Sequence, residues 1–217
     1  MSGDPLVIGA VAVLGAVAGL GADYVARRWP DHEEDYMQRR ALDWATLIVV
    51  ITGAASGAGL AARFAPDPQS FAVYALLFVP LLVLLATDLD QRVLPDLVTL
   101  PLIVFAVVLL IGGWSPALAD KELGRISGVA SGILAPVLLL VSDRVIGGDL
   151  GMGDVKLSIS LGLIFGLTAL FYGLLLASIG FAAVLIALMA MRRLGMKSAV
   201  PFGPVLIFAA FLAALAA

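Results

Sequence analysis

The sequence contains no cysteine and a single histidine, His32. The first absence excludes disulfides, thiolate zinc sites and a cysteine nucleophile, and by itself says nothing of the compartment. His32 stands among Asp31, Glu33, Glu34 and Asp35 on a polar stretch, which fits a solvated side chain rather than a metal ligand or a general base. Charge is also scarce: Asp, Glu, Lys and Arg make up 13% of the 217 residues, against 62% hydrophobic residues. A chain with so little charge and a mean hydropathy of +1.09 cannot cover a soluble surface and reads as a polytopic membrane protein. No basic residue precedes the first apolar run, Pro5 to Gly21, so that run is expected to be a retained helix with its N-terminus outside, not a signal peptide. No internal repeat is visible, which leaves an inverted-repeat transporter without support from symmetry.

What the sequence does have is long apolar runs. A helix needs about 20 apolar residues to cross the hydrocarbon. Eight runs meet or approach this: Pro5 to Gly21, Trp44 to Ala62, Phe71 to Thr87, Leu97 to Gly113, Ile126 to Val141, Val155 to Leu167, Thr168 to Met191 and Phe202 to Ala217. The sixth is short and reads equally as one broken helix with the seventh. The expected fold is all-α, a transmembrane bundle of about eight segments. Residues 1–66 would form a two-helix region with a short cytoplasmic loop, and 67–217 a six-segment core. With the N-terminus outside, ten of the 13 Lys and Arg fall in loops assigned to the cytoplasm, as the positive-inside rule requires. That orientation places the turns at Asp88 and Asp154 on the cytoplasmic side. Glycines four residues apart, Gly53 and Gly57, Gly128 and Gly132, Gly162 and Gly166, suit close packing between helices of the bundle.

Two carboxylates stand at the mouths of these runs. Asp154 closes Gly151-Met152-Gly153-Asp154 ahead of Val155 and Lys156, and Asp88 ends the run from Phe71 to Thr87. An ionisable residue at such a place is costly, and so is a functional-site hypothesis with a partner to be named. Two carboxyls sharing one proton supply a base and an acid together, which is the chemistry of aspartyl peptidases. The plainer reading of Gly151 to Asp154 is a tight turn with Asp154 as a helix cap, and the four residues alone fit both readings equally. Asp90, Asp96, Asp143 and Asp149 lie nearby as solvated or turn-forming residues. Asp96 in particular is placed to cap the helix that begins near Leu97. Lys156 reads as an anchor at the membrane surface or a contact to substrate.

Taken in order, these motifs resemble the GxGD membrane aspartyl peptidases, specifically the type IV prepilin peptidases. The match consists of Asp88, Pro95, the stretch Leu97-Val98-Thr99-Leu100-Pro101-Leu102, then Gly151 to Lys156, and finally Pro201-Phe202-Gly203-Pro204. The resemblance implies Asp88 and Asp154 as the catalytic pair and Gly151, Gly153, Lys156 and Pro95 as motif or substrate-binding residues. It also implies neither metal nor cofactor. The implied substrate is a prepilin or pseudopilin with a basic leader and a hydrophobic helix, cut at the cytoplasmic face of the inner membrane, and no nucleic acid is involved. Gly19 to Pro30 also resembles the end of the first helix of the bacterial members. Many of those then carry two CxxC pairs, associated with zinc binding and N-methylation of the product. This chain has none, so methylation is not expected. The competing class is a small transporter in which Asp88 and Asp154 bind a proton or cation.

Overall fold

The structure, a computed structural model, describes residues 4–29, 43–118, 121–146, 150–191 and 202–216. Among them are seven α-helices and no strand: α1 (Pro5–Ala26), α2 (Trp44–Phe64), α3 (Pro68–Gln91), α4 (Asp96–Gly112), α5 (Lys121–Ile146), α6 (Met152–Ala190) and α7 (Gly203–Ala216). Five of these, α1, α2, α3, α5 and α6, are long and apolar enough to cross a membrane. The protein is a multi-pass, all-α membrane protein. His32 and the rest of the 30–42 stretch, Asp149, Arg192, Arg193, Lys197 and Pro201 lie outside the described residues.

The helix starts follow from local sequence. Asp4, Asp43 and Asp67 precede α1, α2 and α3, and each carboxylate accepts backbone N–H groups of the first turn that have no partner inside the helix. Asp43 and Thr46 form a reciprocal capping box. Proline follows the cap in α1 and α3, where its missing N–H costs nothing. Asp67 is solvent-facing, and the Ser70 hydroxyl, then the Ser70 N–H, hold its carboxyl below the usual carboxylate range.

Within hydrocarbon, helix association gains little from hydrophobicity, so close backbone approach and polar contacts must hold the bundle. The α1–α2 hairpin shows both. A side chain at Gly19 would come within 2.7 Å of the Val49 carbonyl, and one at Gly57 within 2.5 Å of the Val11 carbonyl. At the end of the hairpin Arg27 pairs with buried Asp23, donates to Thr46 Oγ1 at 2.8 Å, and Thr46 donates in turn to Asp23 Oδ2 at 3.0 Å. Gln91 Nε2 then bonds the Ala26 carbonyl at 3.0 Å, fastening the end of α3 to the end of α1. Gly128, Gly132 and Gly162 serve the contact between α5 and α6, as their spacing predicts.

Gly166 does something else. It has φ 68° and ψ −176°, a conformation essentially restricted to glycine, and it breaks α6 into two arms. The carbonyl and N–H groups freed by the break are satisfied by serines on neighbouring elements. Ser115 donates to the Ile164 carbonyl at 2.5 Å, and the Leu167 N–H donates to Ser127 Oγ at 2.9 Å. The second arm runs back along α7 in the opposite sense: Tyr172 lines a cavity with Ala216, Gly173 meets Ala209, and Ala177 packs on Val205. The sixth and seventh apolar runs are thus the two arms of one helix broken at Gly166. Between the arms and α3 lies the aromatic core, with Tyr74 near-parallel to Phe165 at 6.1 Å and Phe78 edge-on to Phe211 at 4.5 Å.

Candidate active site

Asp88 lies one turn before the end of α3. The helix stops because Arg92 adopts a left-handed conformation, φ 57°, while its N–H returns to the Asp88 carbonyl at 2.9 Å. A non-glycine residue with positive φ is uncommon, and here it turns the chain sharply beside a carboxylate. Pro95, extended and unable to donate, then opens α4 as its N-cap residue, and its carbonyl accepts from Val98 and Thr99.

Asp154 enters from the start of α6. The N-cap position belongs to Gly151, and no side chain caps this helix. Asp154 stands inside the first turn, its N–H bonded to the Gly151 carbonyl at 3.0 Å. The reading of Asp154 as the N-cap residue is therefore overturned: it stands three residues inside the helix, and its carboxyl reaches back toward the backbone of Gly151. A negative charge in a first turn still gains from the helix dipole.

Two contacts draw the helix ends that carry the two aspartates together. A side chain on Gly153 would come within 2.5 Å of Leu94 Cβ, so only glycine lets α6 press this closely on the turn after Asp88. Lys156 donates to Asp96 Oδ1 at 2.6 Å, joining the first turns of α6 and α4. That contact also corrects the assignment of Asp96, which makes no capping bond and serves as the partner of Lys156. Gly203, at the start of α7, backs onto the Asp88 carboxyl, and a side chain there would come within 2.7 Å of Asp88 Oδ2. Gly151 lies alongside Asp154, 3.4 Å from Oδ2 to the position a Cβ would take.

The result is a pair of buried carboxyls, Asp88 5% and Asp154 8% exposed, carried on helix ends that Gly153 and Lys156 hold together. Asp88 Oδ2 and Asp154 Oδ1 are both buried without a hydrogen-bond partner among the described residues. Unpartnered buried carboxylate oxygens are expensive and point to a ligand or a shared proton. Among the described residues no group of three or more His, Asp or Glu side chains gathers to hold a metal ion. Of the remaining acidic residues, Asp143 holds the chain just before the glycine turn by accepting the Leu150 N–H at 3.0 Å, and Asp90 is partly buried with interactions of its own. Sequence reasoning gave no individual role to Gly203 or Arg92. The first was visible only as part of a proline-flanked motif, and the second only as a basic loop residue.

Residues 75–217 match the type IV leader peptidase family. Among curated proteins, the chain is similar to a prepilin leader peptidase/N-methyltransferase of Aeromonas hydrophila, 33% identical over 78% of this chain and 57% of the relative. Relatives of the same description from Aeromonas salmonicida and Pseudomonas putida are 37% and 38% identical, over 65% and 66% of this chain and 48% and 50% of theirs. The chain spans about half the length of the curated relatives it matches. No solved structure matches it. With a match that runs from the middle of α3 to the last residue and takes in both buried aspartates, the chain belongs to the type IV leader peptidase family.

Proposed function

We propose that the protein is an intramembrane aspartyl endopeptidase that removes the leader from type IV prepilin-like substrates, with Asp88 and Asp154 as its catalytic pair. The observation that carries this reading is two buried carboxyls on the adjoining ends of α3 and α6, each with an oxygen that has no hydrogen-bond partner among the described residues. Such a pair shares one proton. The ionised member takes a proton from water as the oxygen attacks the scissile carbonyl, while the protonated member gives its proton to the carbonyl oxygen. Collapse of the tetrahedral intermediate returns a proton to the leaving amine and restores the shared state. The pair titrates as a unit, so neither aspartate owns the acid role.

Both carboxyls lie within one turn of a helix end, on the side where the basic residues gather. By the positive-inside rule that side is the cytoplasmic face of the inner membrane. A substrate with a basic, cytoplasmic leader followed by a hydrophobic helix would present its junction at this level. Gly151 leaves the Asp154 carboxyl uncrowded on its own side, Gly153 lets α6 press on Leu94, and Lys156 fixes the turn through Asp96.

The test is incubation of purified protein in detergent with a prepilin carrying its leader, read by mass spectrometry. A product shortened by the leader is expected, with an unmodified new N-terminus, because the chain has no cysteine for the CxxC pairs associated with methylation. A methyl group added by this protein alone would overturn the second half of the reading. Intact substrate, together with proton or cation flux in liposomes, would return the transporter to first place.

A further inference from the structure

Thr99 is fully buried, and its hydroxyl has no hydrogen-bond partner among the described residues. A threonine or serine inside an apolar helix normally satisfies its hydroxyl on the carbonyl three or four residues back. Ser56, Thr87, Ser158 and Ser160 all do so here, on Gly53, Leu84, Val155 and Lys156. Thr99 has the Pro95 carbonyl within its own turn, where its N–H is already bonded at 3.1 Å, yet its hydroxyl does not use it.

Its position is as informative as its isolation. Asp88 lies three residues inside the end of α3, Asp154 two inside the start of α6, and Thr99 three inside the start of α4. At 1.5 Å per residue, all three lie within about 5 Å of a helix end. The ends concerned are drawn together by the Leu94–Gly153 contact and the Lys156–Asp96 bridge. Buried on α4 with Leu102 and Ala106, Thr99 is on the face turned into the bundle. Three of the buried side-chain oxygens without a partner among the described residues, those of Asp88, Asp154 and Thr99, are thus carried on three helix ends that adjoin one another.

We propose that the Thr99 hydroxyl is a further positioning residue of this site, hydrogen-bonding the attacking water held between the two carboxyls. The assignment rests on the peptidase reading. A hydroxyl suits the task because it donates and accepts at once, so it can hold a water while that water gives its proton to a carboxylate. Kept off its own backbone, it stays free for this bond at a cost to the resting fold.

That cost gives the test its discriminating sign. Thr99→Val keeps the shape and removes the hydroxyl, and Thr99→Ser keeps the hydroxyl. Both are to be compared with the wild type for kcat, KM and thermal stability in detergent, with a synthetic prepilin segment as substrate. Thr99→Val is expected to lower kcat about 10-fold or more with KM little changed, as loss of a transition-state hydrogen bond does. Its Tm should equal or exceed that of the wild type, since an unsatisfied buried group has been removed. Thr99→Ser should recover most of the kcat. Undiminished cleavage by Thr99→Val, an equal fall in Thr99→Ser, or a fall in kcat that merely follows a fall in Tm overturns the assignment. Wild-type protein that leaves the substrate intact overturns the peptidase reading and this assignment with it.

Discussion

In the proposed mechanism an amide in place of either Asp88 or Asp154 could neither take a proton from water nor give one to the leaving amine, and the pair could not be regenerated after a turnover. Asp88→Asn and Asp154→Asn are each expected to reduce cleavage by at least about 10³-fold, and the double variant should be little worse than either single one, because members of one catalytic unit are not additive. Both variants should stay folded, since Asn matches Asp in shape and removes the burial of a second charge, which thermal denaturation in detergent would check. Asp90→Asn and Asp143→Asn should retain most activity. In Asp143 the oxygen that accepts the Leu150 N–H survives as the amide oxygen. Substantial cleavage by folded Asp154→Asn protein would remove Asp154 from the mechanism. The two candidate aspartates stood out in the sequence because a carboxylate bordering an apolar run is costly. What they touch was not legible. Gly203 lies 115 residues from Asp88 in the chain, and no local pattern says that its missing side chain makes room for that carboxyl. Asp96 reads as a helix cap from its neighbours, and only the tertiary approach of Lys156 gives it another task.

At the level of elements, spacing alone cannot separate two uses of glycine. Gly162 and Gly166 stand four residues apart on one apolar stretch and look like a single packing pair. In the structure Gly162 meets the backbone of Ser131 and Gly132, as packing predicts, while Gly166 breaks the helix. The signal for the break is carried by Ser115 and Ser127, serines on other elements that satisfy the carbonyl of Ile164 and the N–H of Leu167, and it is invisible until α5 folds against α6. Gly166→Ala tests the distinction. A side chain there would be strained by the positive φ and would come within 2.7 Å of Ser127 Oγ, so a loss of roughly 1–3 kcal/mol is expected for the backbone term alone. A lowered Tm in detergent checks it, and a Tm equal to the wild type would mean that the break is not a fixed feature. Elements with no such conflict were the easiest to read. α1 begins at Pro5, as its apolar run does, whereas α3 begins at Pro68, three residues ahead of its run at Phe71, behind the Asp67 cap.

For the whole molecule, the arrangement of helix ends makes a statement about sidedness that does not depend on charge. The end of α5 precedes the glycine turn through the Asp143–Leu150 bond, so Val145 must lie on the same side as Asp154, while the start of α3 lies a full helix away from Asp88. In the proposed orientation the Lys and Arg at the Asp88 and Asp154 turns, with Arg144, would be cytoplasmic, and Arg63, Lys121 and Arg125 would face out. The absence of cysteine makes this directly measurable, because a single introduced thiol is the only one in the chain. Val145→Cys, at a position 79% exposed, and Gln69→Cys, on the exposed start of α3, are suitable sites. In right-side-out vesicles a membrane-impermeant maleimide is expected to label Gln69→Cys and leave Val145→Cys unmodified, and in inverted vesicles the pattern should reverse. Labelling of both from one side would contradict the fold, since α3 would then not cross the membrane between them. A clean exchange of the two patterns would leave the fold intact and reverse the orientation, moving both aspartates to the far side from a substrate whose basic leader stays in the cytoplasm. That outcome would count against prepilin processing even with the carboxyl pair in place, because the site could then meet its substrate only after the leader had crossed the membrane.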